Sequence, residues 1–177
     1  MKKKTLFVTV AVTVVVVCIL SVIGSTLVPP VYTISSEITL PANVEKSWEV
    51  LTEFDQYPDW NPYLLRVDGK LAPGEAVSFT LVDGNFSEPL DLGAEVAEVR
   101  PNEIFYWIGT LGIRGLHDTR HVFELRALPD GNTQLLHYEE FRGLLAWLLP
   151  KREERMALTH TAFETMNNAL QQRLAQP

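Results

Sequence analysis

The pattern of apolar and polar positions divides the chain into three regimes. Thr5 to Val28 is a long, mainly apolar run without a charge. From Tyr32 to Arg142 apolar and polar residues alternate in short bursts, and beyond Pro150 the apolar spacing lengthens to threes and fours. In that last regime Met156, Thr159, Phe163, Met166, Leu170 and Leu174 fall on one stripe, which predicts a helix with one buried face. Arg152, Glu153, Arg155, Glu164, Gln171 and Arg173 fall on its wet face. Pro150 suits the first turn, where its missing N–H would have had no partner. A helix from Pro150 to Leu174 is about 35 Å long at 1.5 Å per residue.

The middle regime reads as strands. Tyr32 to Leu40 alternates, and Pro41 ends the run. Asn43 caps a helix whose Val44, Trp48 and Leu51 share one side. Phe54 to Pro62, rich in aromatics and prolines, suits a short helix and a turn. Strand-like runs follow near 63–70, 76–82, 91–100, 103–110, 118–128 and 132–142. The separators carry turn chemistry: Asp68-Gly69, Pro73-Gly74, Asp83-Gly84-Asn85, Pro101-Asn102 and Pro129-Asp130-Gly131. The expected fold class is therefore α+β, a mostly antiparallel sheet of about seven strands with a long C-terminal helix.

One turn sets a register. Pro129-Asp130-Gly131 fits a three-residue hairpin loop with Gly131 in the left-handed region, closing on Leu128 and Asn132. Leu125 then faces Leu135, Phe123 faces His137, His121 faces Glu139, and Thr119 faces Phe141, all on one side. Arg120, Glu124, Arg126, Gln134, Glu140 and Arg142 take the opposite, solvent-facing side. The inner face is thus apolar apart from His121, His137 and Glu139, which the register brings together.

Charge and length narrow the function classes. The chain has 177 residues and a net charge of −7. Without Lys2, Lys3 and Lys4, 12 basic and 22 acidic side chains remain, a balance of −10. Such a surface repels phosphate backbones and argues against nucleic-acid binding. Cys18 is the single cysteine, so no intrachain disulfide forms. Residues 5–28 are long enough to cross a bilayer, about 36 Å as a helix against a core of about 30 Å. A cleaved signal peptide is the rival reading, but its apolar stretch is usually only about 7–15 residues. The expected layout is a cytoplasmic tail at 1–4, a transmembrane helix at 5–28, a short tether at 29–31 and one domain at 32–177. Three lysines before the span, and no Lys or Arg after it until Lys46, place the amino terminus in the cytoplasm and the domain outside the cell membrane.

Two motifs carry a resemblance. Leu40-Pro41-Ala42-x-Val44-x-x-x-Trp48-x-x-Leu51, followed by Tyr57-Pro58-x-Trp60-Asn61-Pro62, is similar to the start of an SRPBCC domain, the START-like, helix-grip superfamily that includes polyketide cyclase/dehydrase-like proteins. Arg120-His121-x-Phe123-Glu124-Leu125 and His137-x-Glu139-x-Phe141-x-Gly143-Leu144-Leu145 resemble the same superfamily, and the likeness covers nearly all of 31–175. It implies a curved sheet wrapped around the C-terminal helix with an apolar cavity between them. The superfamily spans ligand carriers, cyclases and regulatory partners, so it leaves the activity open.

With such a cavity, the expected wall residues are Trp60, Phe79, Trp107, His121, Phe123, His137, Glu139, Phe141, Met156, Phe163 and Met166. The occupant expected is a hydrophobic small molecule or lipid, with no cofactor. For His121, His137 and Glu139 three readings stand: a satisfied structural network, a polar anchor for a ligand headgroup, or acid–base catalysis. His117 joins them as a metal ligand by residue type only, with no ligand motif behind it. Leu144 to Leu149 either packs under the helix or, with Trp147 apolar and Lys151 and Arg152 at headgroup level, touches a bilayer interface. An enzyme of the cyclase/dehydratase kind and an interaction module with a collapsed cavity are the alternatives. Oligomeric state is not encoded in any heptad seam.

Overall fold

The computed structural model describes residues 7–9, 12–13, 15–16 and 29–176. The expected tail at 1–4 and most of the expected span at 5–28 lie outside these residues, and those described before residue 29 are helical. Among the described residues no helix is long and apolar enough to cross a membrane.

Alternation in the sequence becomes seven strands: β1 (Tyr32–Leu40), β2 (Leu64–Gly69), β3 (Ala76–Leu81), β4 (Leu90–Arg100), β5 (Ile104–Thr110), β6 (Asp118–Ala127) and β7 (Thr133–Arg142). They form one sheet in the order β1-β7-β6-β5-β4-β3-β2, every neighbouring pair antiparallel. Bulges at Leu64/Arg66 and Val96/Glu98 locally bend the strands and add twist. Gly131 is left-handed at φ 84°, and the backbone closes from Leu128 N–H to Asn132 C=O at 2.9 Å. The register is the one the turn requires: Phe123 faces His137 and His121 faces Glu139.

Helix α1 (Val44–Thr52) is capped by the Asn43 side chain, which accepts from Lys46 N–H at 2.9 Å. It sets Trp48 edge-on to Phe105. After a single 3-10 turn, α2 (Tyr57–Trp60) leads into Asn61, whose Oδ1 accepts from the N–H groups of Tyr63 and Leu64. That clasp aims the Tyr63 ring at the middle of the sheet. The helix expected from Pro150 to Leu174 starts two residues later, and a short helix precedes it. Leu144–Leu148 forms a short α3, and α4 starts only at Arg152 and runs to Leu174. Leu149, the residue before Pro150, is driven out of helical geometry (ψ 126°), and Lys151 follows at φ 54°. Pro150 therefore lies in a break instead of a first turn.

Seating of α4 uses Thr159, Phe163, Met166, Asn167 and Leu170, all buried. Phe163, Met166 and Leu170 share a cluster with Leu40, Leu51, Phe105, Phe123 and Leu135. Gly143 (φ 94°) passes so near the β5–β6 loop that a Cβ there would meet the carbonyls of Gly115 and Leu116 at 2.6 Å. With the bond from Leu145 N–H to Leu116 C=O at 2.9 Å, this ties α3 to that loop. Leu170→Ala is expected to lower stability by about 2–5 kcal/mol in equilibrium denaturation. Leu144→Ala, at a residue 61% exposed, should change it by under about 0.5 kcal/mol.

Candidate functional site

The two ends of the sheet are filled differently. At one end, the core of Leu40, Phe105, Phe123, Leu135, Met166 and Leu170 is packed solid. At the other, a cavity of about 530 Å³ lies between the sheet and the first turns of α4. Its wall is drawn from Tyr32 and Ile34 of β1, Tyr63 before β2, Phe79 and Leu81 of β3, Leu90 and Leu92 of β4, Thr119 and His121 of β6, and Glu139 and Phe141 of β7. Leu145 and Leu149 from the α3 region, Arg155, Met156 and Thr159 from α4, and Asp83, Asn85, Phe86, Leu111 and His117 from the loops add to it. The volume falls within the roughly 300–1,000 Å³ of small-molecule sites.

Of the residues expected on the wall, Phe79, His121, Glu139, Phe141 and Met156 line this space. Trp107, Phe123, His137, Phe163 and Met166 do not; they form the packed layer behind it. Trp107 lies against His121 (5.3 Å between ring centres), and His121 against Phe163 (5.3 Å), so the interior from Trp107 to Phe163 is occupied by side chains. Trp60 packs on Tyr57, away from the opening. The sequence-based reading placed Arg155 in water, yet it is half-buried on the wall. Its position four residues before the buried Thr159 was the signal.

Between the filled and open halves runs a hydrogen-bonded chain. Asn167 Nδ2 donates to Ser36 Oγ at 3.1 Å, which turns Asn167 Oδ1 toward His137 Nδ1 at 3.0 Å. His137 Nδ1 must then donate, leaving its Nε2 as acceptor for the Nε2–H of His121 at 2.8 Å. His121 Nδ1 is left unprotonated, 3.9 Å from Glu139 Oε2. Asn167 and Ser36 were not anticipated, because an asparagine inside an apolar helical stripe reads as an interruption until its partner is known.

Aromatic walls keep this chain dry. His137 is sandwiched between Phe163 (4.0 Å) and Phe123 (4.4 Å). Burial accordingly pushes His137 down to about 3, with the Asn167 bond pulling the other way, and holds His121 well below the usual imidazole range. Burial also raises Glu139 to about 7, against the lowering effect of a hydrogen bond with Thr119. The site therefore presents a neutral imidazole beside a carboxyl group poised between its two forms. His117, on the wall near Phe141, is also pushed down by burial. No group of three or more His, Cys, Asp or Glu side chains among the described residues is arranged to hold a metal ion.

A second network fixes the roof. Thr159 Oγ1 donates to Asp83 Oδ2 at 3.0 Å, and Asn85 Nδ2 reaches Thr159 Oγ1 and the Arg155 carbonyl. On the wall Phe86 and Leu111 are 44% and 63% exposed, and in the β5–β6 loop and α3, which also supplies Leu145 to the wall, Ile113, Leu144, Trp147 and Leu148 are between 52% and 68% exposed.

A curved seven-stranded antiparallel sheet gripping a C-terminal helix, with a pocket at one end, defines the START-like helix-grip class. The chain belongs to the family described as polyketide cyclase / dehydrase and lipid transport, whose profile matches residues 32–176. Among solved structures it is similar to a START superfamily protein from Mycobacterium smegmatis, at 16% identity and a TM-score of 0.63, covering 80% of this chain and 96% of that one. It is also similar to protein MLL2253 from Mesorhizobium loti (21%, 0.60, 81% and 96%) and to the Zhui aromatase/cyclase from Streptomyces sp. R1128 (15%, 0.58, 81% and 90%). At these identities the likeness is one of fold. No curated protein matches it in sequence.

The Glu139 carboxyl gives a pH-dependent prediction. Its value is raised from 4.5 to about 7, so the folded protein holds a proton the unfolded chain releases. The associated stability is full below about 4.5 and lost as pH rises through 7. His121 and His137 act in the opposite sense, losing stability as pH falls below 6.5. Glu139→Gln lacks only the first effect. Its stability relative to wild type should rise between pH 4.5 and 7.5 by up to about 3 kcal/mol, read from urea denaturation at each pH.

Proposed function

We propose that this protein binds a hydrophobic small molecule or lipid in the cavity between the sheet and α4. The observation that carries the reading is the 530 Å³ space itself, walled mainly by apolar side chains and open at one end. Burial of apolar ligand surface supplies the affinity, at about 25 cal/mol per Å² before the costs of association. His121 and Glu139 supply the orienting polar contact. The neighbouring His137, Phe123, Phe163, Trp107 and Met166 hold the floor rigid. The space is open, which weighs against an interaction module with a collapsed cavity.

The same reading places the domain at a membrane. The uncharged run 5–28 acts as a single-pass anchor, with its amino terminus cytoplasmic and the domain outside. The short tether holds the domain near the lipid. Supporting this are the exposed apolar side chains Trp147 and Leu148, flanked in sequence by the wall residues Leu145 and Leu149, with Lys151 and Arg152 following to sit at headgroup level. A guest would pass between bilayer and cavity without crossing water.

A second reading has one specific observation in its favour. Glu139, held at about 7 and facing the cavity, is suited to proton transfer near neutral pH. The Zhui protein, an aromatase/cyclase by name, shares the fold. Turnover of an aromatic polyketide-like substrate, abolished in Glu139→Gln, would establish that reading.

Native mass spectrometry of the full chain as purified tests the binding reading, with a retained apolar molecule expected. Met156→Trp projects a large ring into the cavity from a wall residue. It should eliminate that adduct, or weaken a supplied apolar probe at least about tenfold, while leaving the cooperative unfolding transition intact. An empty wild-type protein that also refuses a range of apolar probes contradicts it. For the membrane part, brominated lipids should quench Trp147 fluorescence in the reconstituted full chain, and Trp147→Phe should remove most of the quenching. Equal quenching in both proteins would contradict an interfacial Trp147.

A further inference from the structure

Arg155 stands apart from the other half-buried arginines of the domain. Arg120 and Arg142 pair with Glu140, at 3.7 and 3.0 Å, and Arg152 donates to the Trp147 carbonyl at 3.1 Å. The Arg155 guanidinium lines the cavity, and no described residue forms a hydrogen bond or ion pair with it. The two wall carboxyl groups are otherwise engaged. Asp83 accepts from Thr159 and Asn85, and Glu139 bonds with Thr119. Arg155 instead makes its charge felt at His117 and at Tyr32, where Glu139 acts in the opposite sense.

The backbone there is held firmly, since Asn85 grips the Arg155 carbonyl at 3.2 Å. A partly desolvated guanidinium without an acceptor is unfavourable, and a carboxylate is the partner its planar donor fork fits best. Tyr32 and His117 flank the place such a headgroup would take. From it, the apolar wall of Phe79, Leu81 and Leu92 runs along the rest of the cavity.

We propose that the guest is an anionic amphiphile, a monocarboxylate on an apolar chain, with its headgroup paired to Arg155 and its tail against Phe79, Leu81 and Leu92. This rests on the cavity-binding reading and names the ligand class for it. An arginine is preferred to a lysine at this position because two parallel N–H donors can be offered at once.

The test compares decanoate, 1-decanol and decylammonium as probes of the full chain in nanodiscs, with partition into empty nanodiscs subtracted. Wild type should bind decanoate at least about tenfold more tightly than 1-decanol, and decylammonium most weakly. Arg155→Met should bring decanoate to the 1-decanol level while leaving 1-decanol unchanged, which also shows the variant to be folded. Arg155→Lys should retain part of the preference. If 1-decanol binds as well as decanoate, or if Arg155→Met leaves the preference in place, this inference is overturned while cavity binding stands. If none of the three probes binds, both are overturned.

Discussion

The constraint on which everything else depends is that one helix must be seated at one end and lifted at the other. The C-terminal part of α4 drives Phe163, Met166 and Leu170 into the sheet until no exposure remains. Its N-terminal part borders the cavity through Arg155, Met156 and Thr159. Within the seated part the helix is also clasped to the sheet by polar groups. There Asn167 bonds to both Ser36 and His137, linking the helix to β1 and β7 through groups that cannot be left unpaired in so dry a place.

The histidines make sense in this light. Two imidazoles in an aromatic sandwich would be poor choices for packing alone, since each carries a donor and an acceptor that need partners. Threaded between Asn167 and the cavity, they satisfy one another and transmit the orientation set at Ser36 to the His121 Nδ1 lone pair. The structural and ligand-anchoring readings of the cluster are therefore compatible: His137 serves the first, while His121 and Glu139 sit where the second would need them.

Local pattern made the strands readable to within one residue, because alternation and turn chemistry are properties of neighbours in sequence. Pro129-Asp130-Gly131 alone brought His121 next to Glu139. What sequence could not give was depth along the sheet. Phe79 and Phe123 both point inward, yet one faces the cavity and the other the core, and only the tilt of α4 decides which. The same tilt turned Arg155 from an apparent surface residue into a wall residue. Pro150 misled for a different reason. A proline favours a first turn, but it also extends the residue before it, and with α3 already formed the second effect prevailed.

Two methionines on α4 report on the two halves separately. Met156 lines the cavity, and Met166 is wholly buried in the filled end. In the full chain carrying 13C-methyl methionine, addition of 1-decanol should shift the Met156 methyl resonance and produce contacts between it and the alkyl chain, with Met166 unmoved. No change at Met156, or an equal change at both, would contradict the division into a closed half and a receptive one.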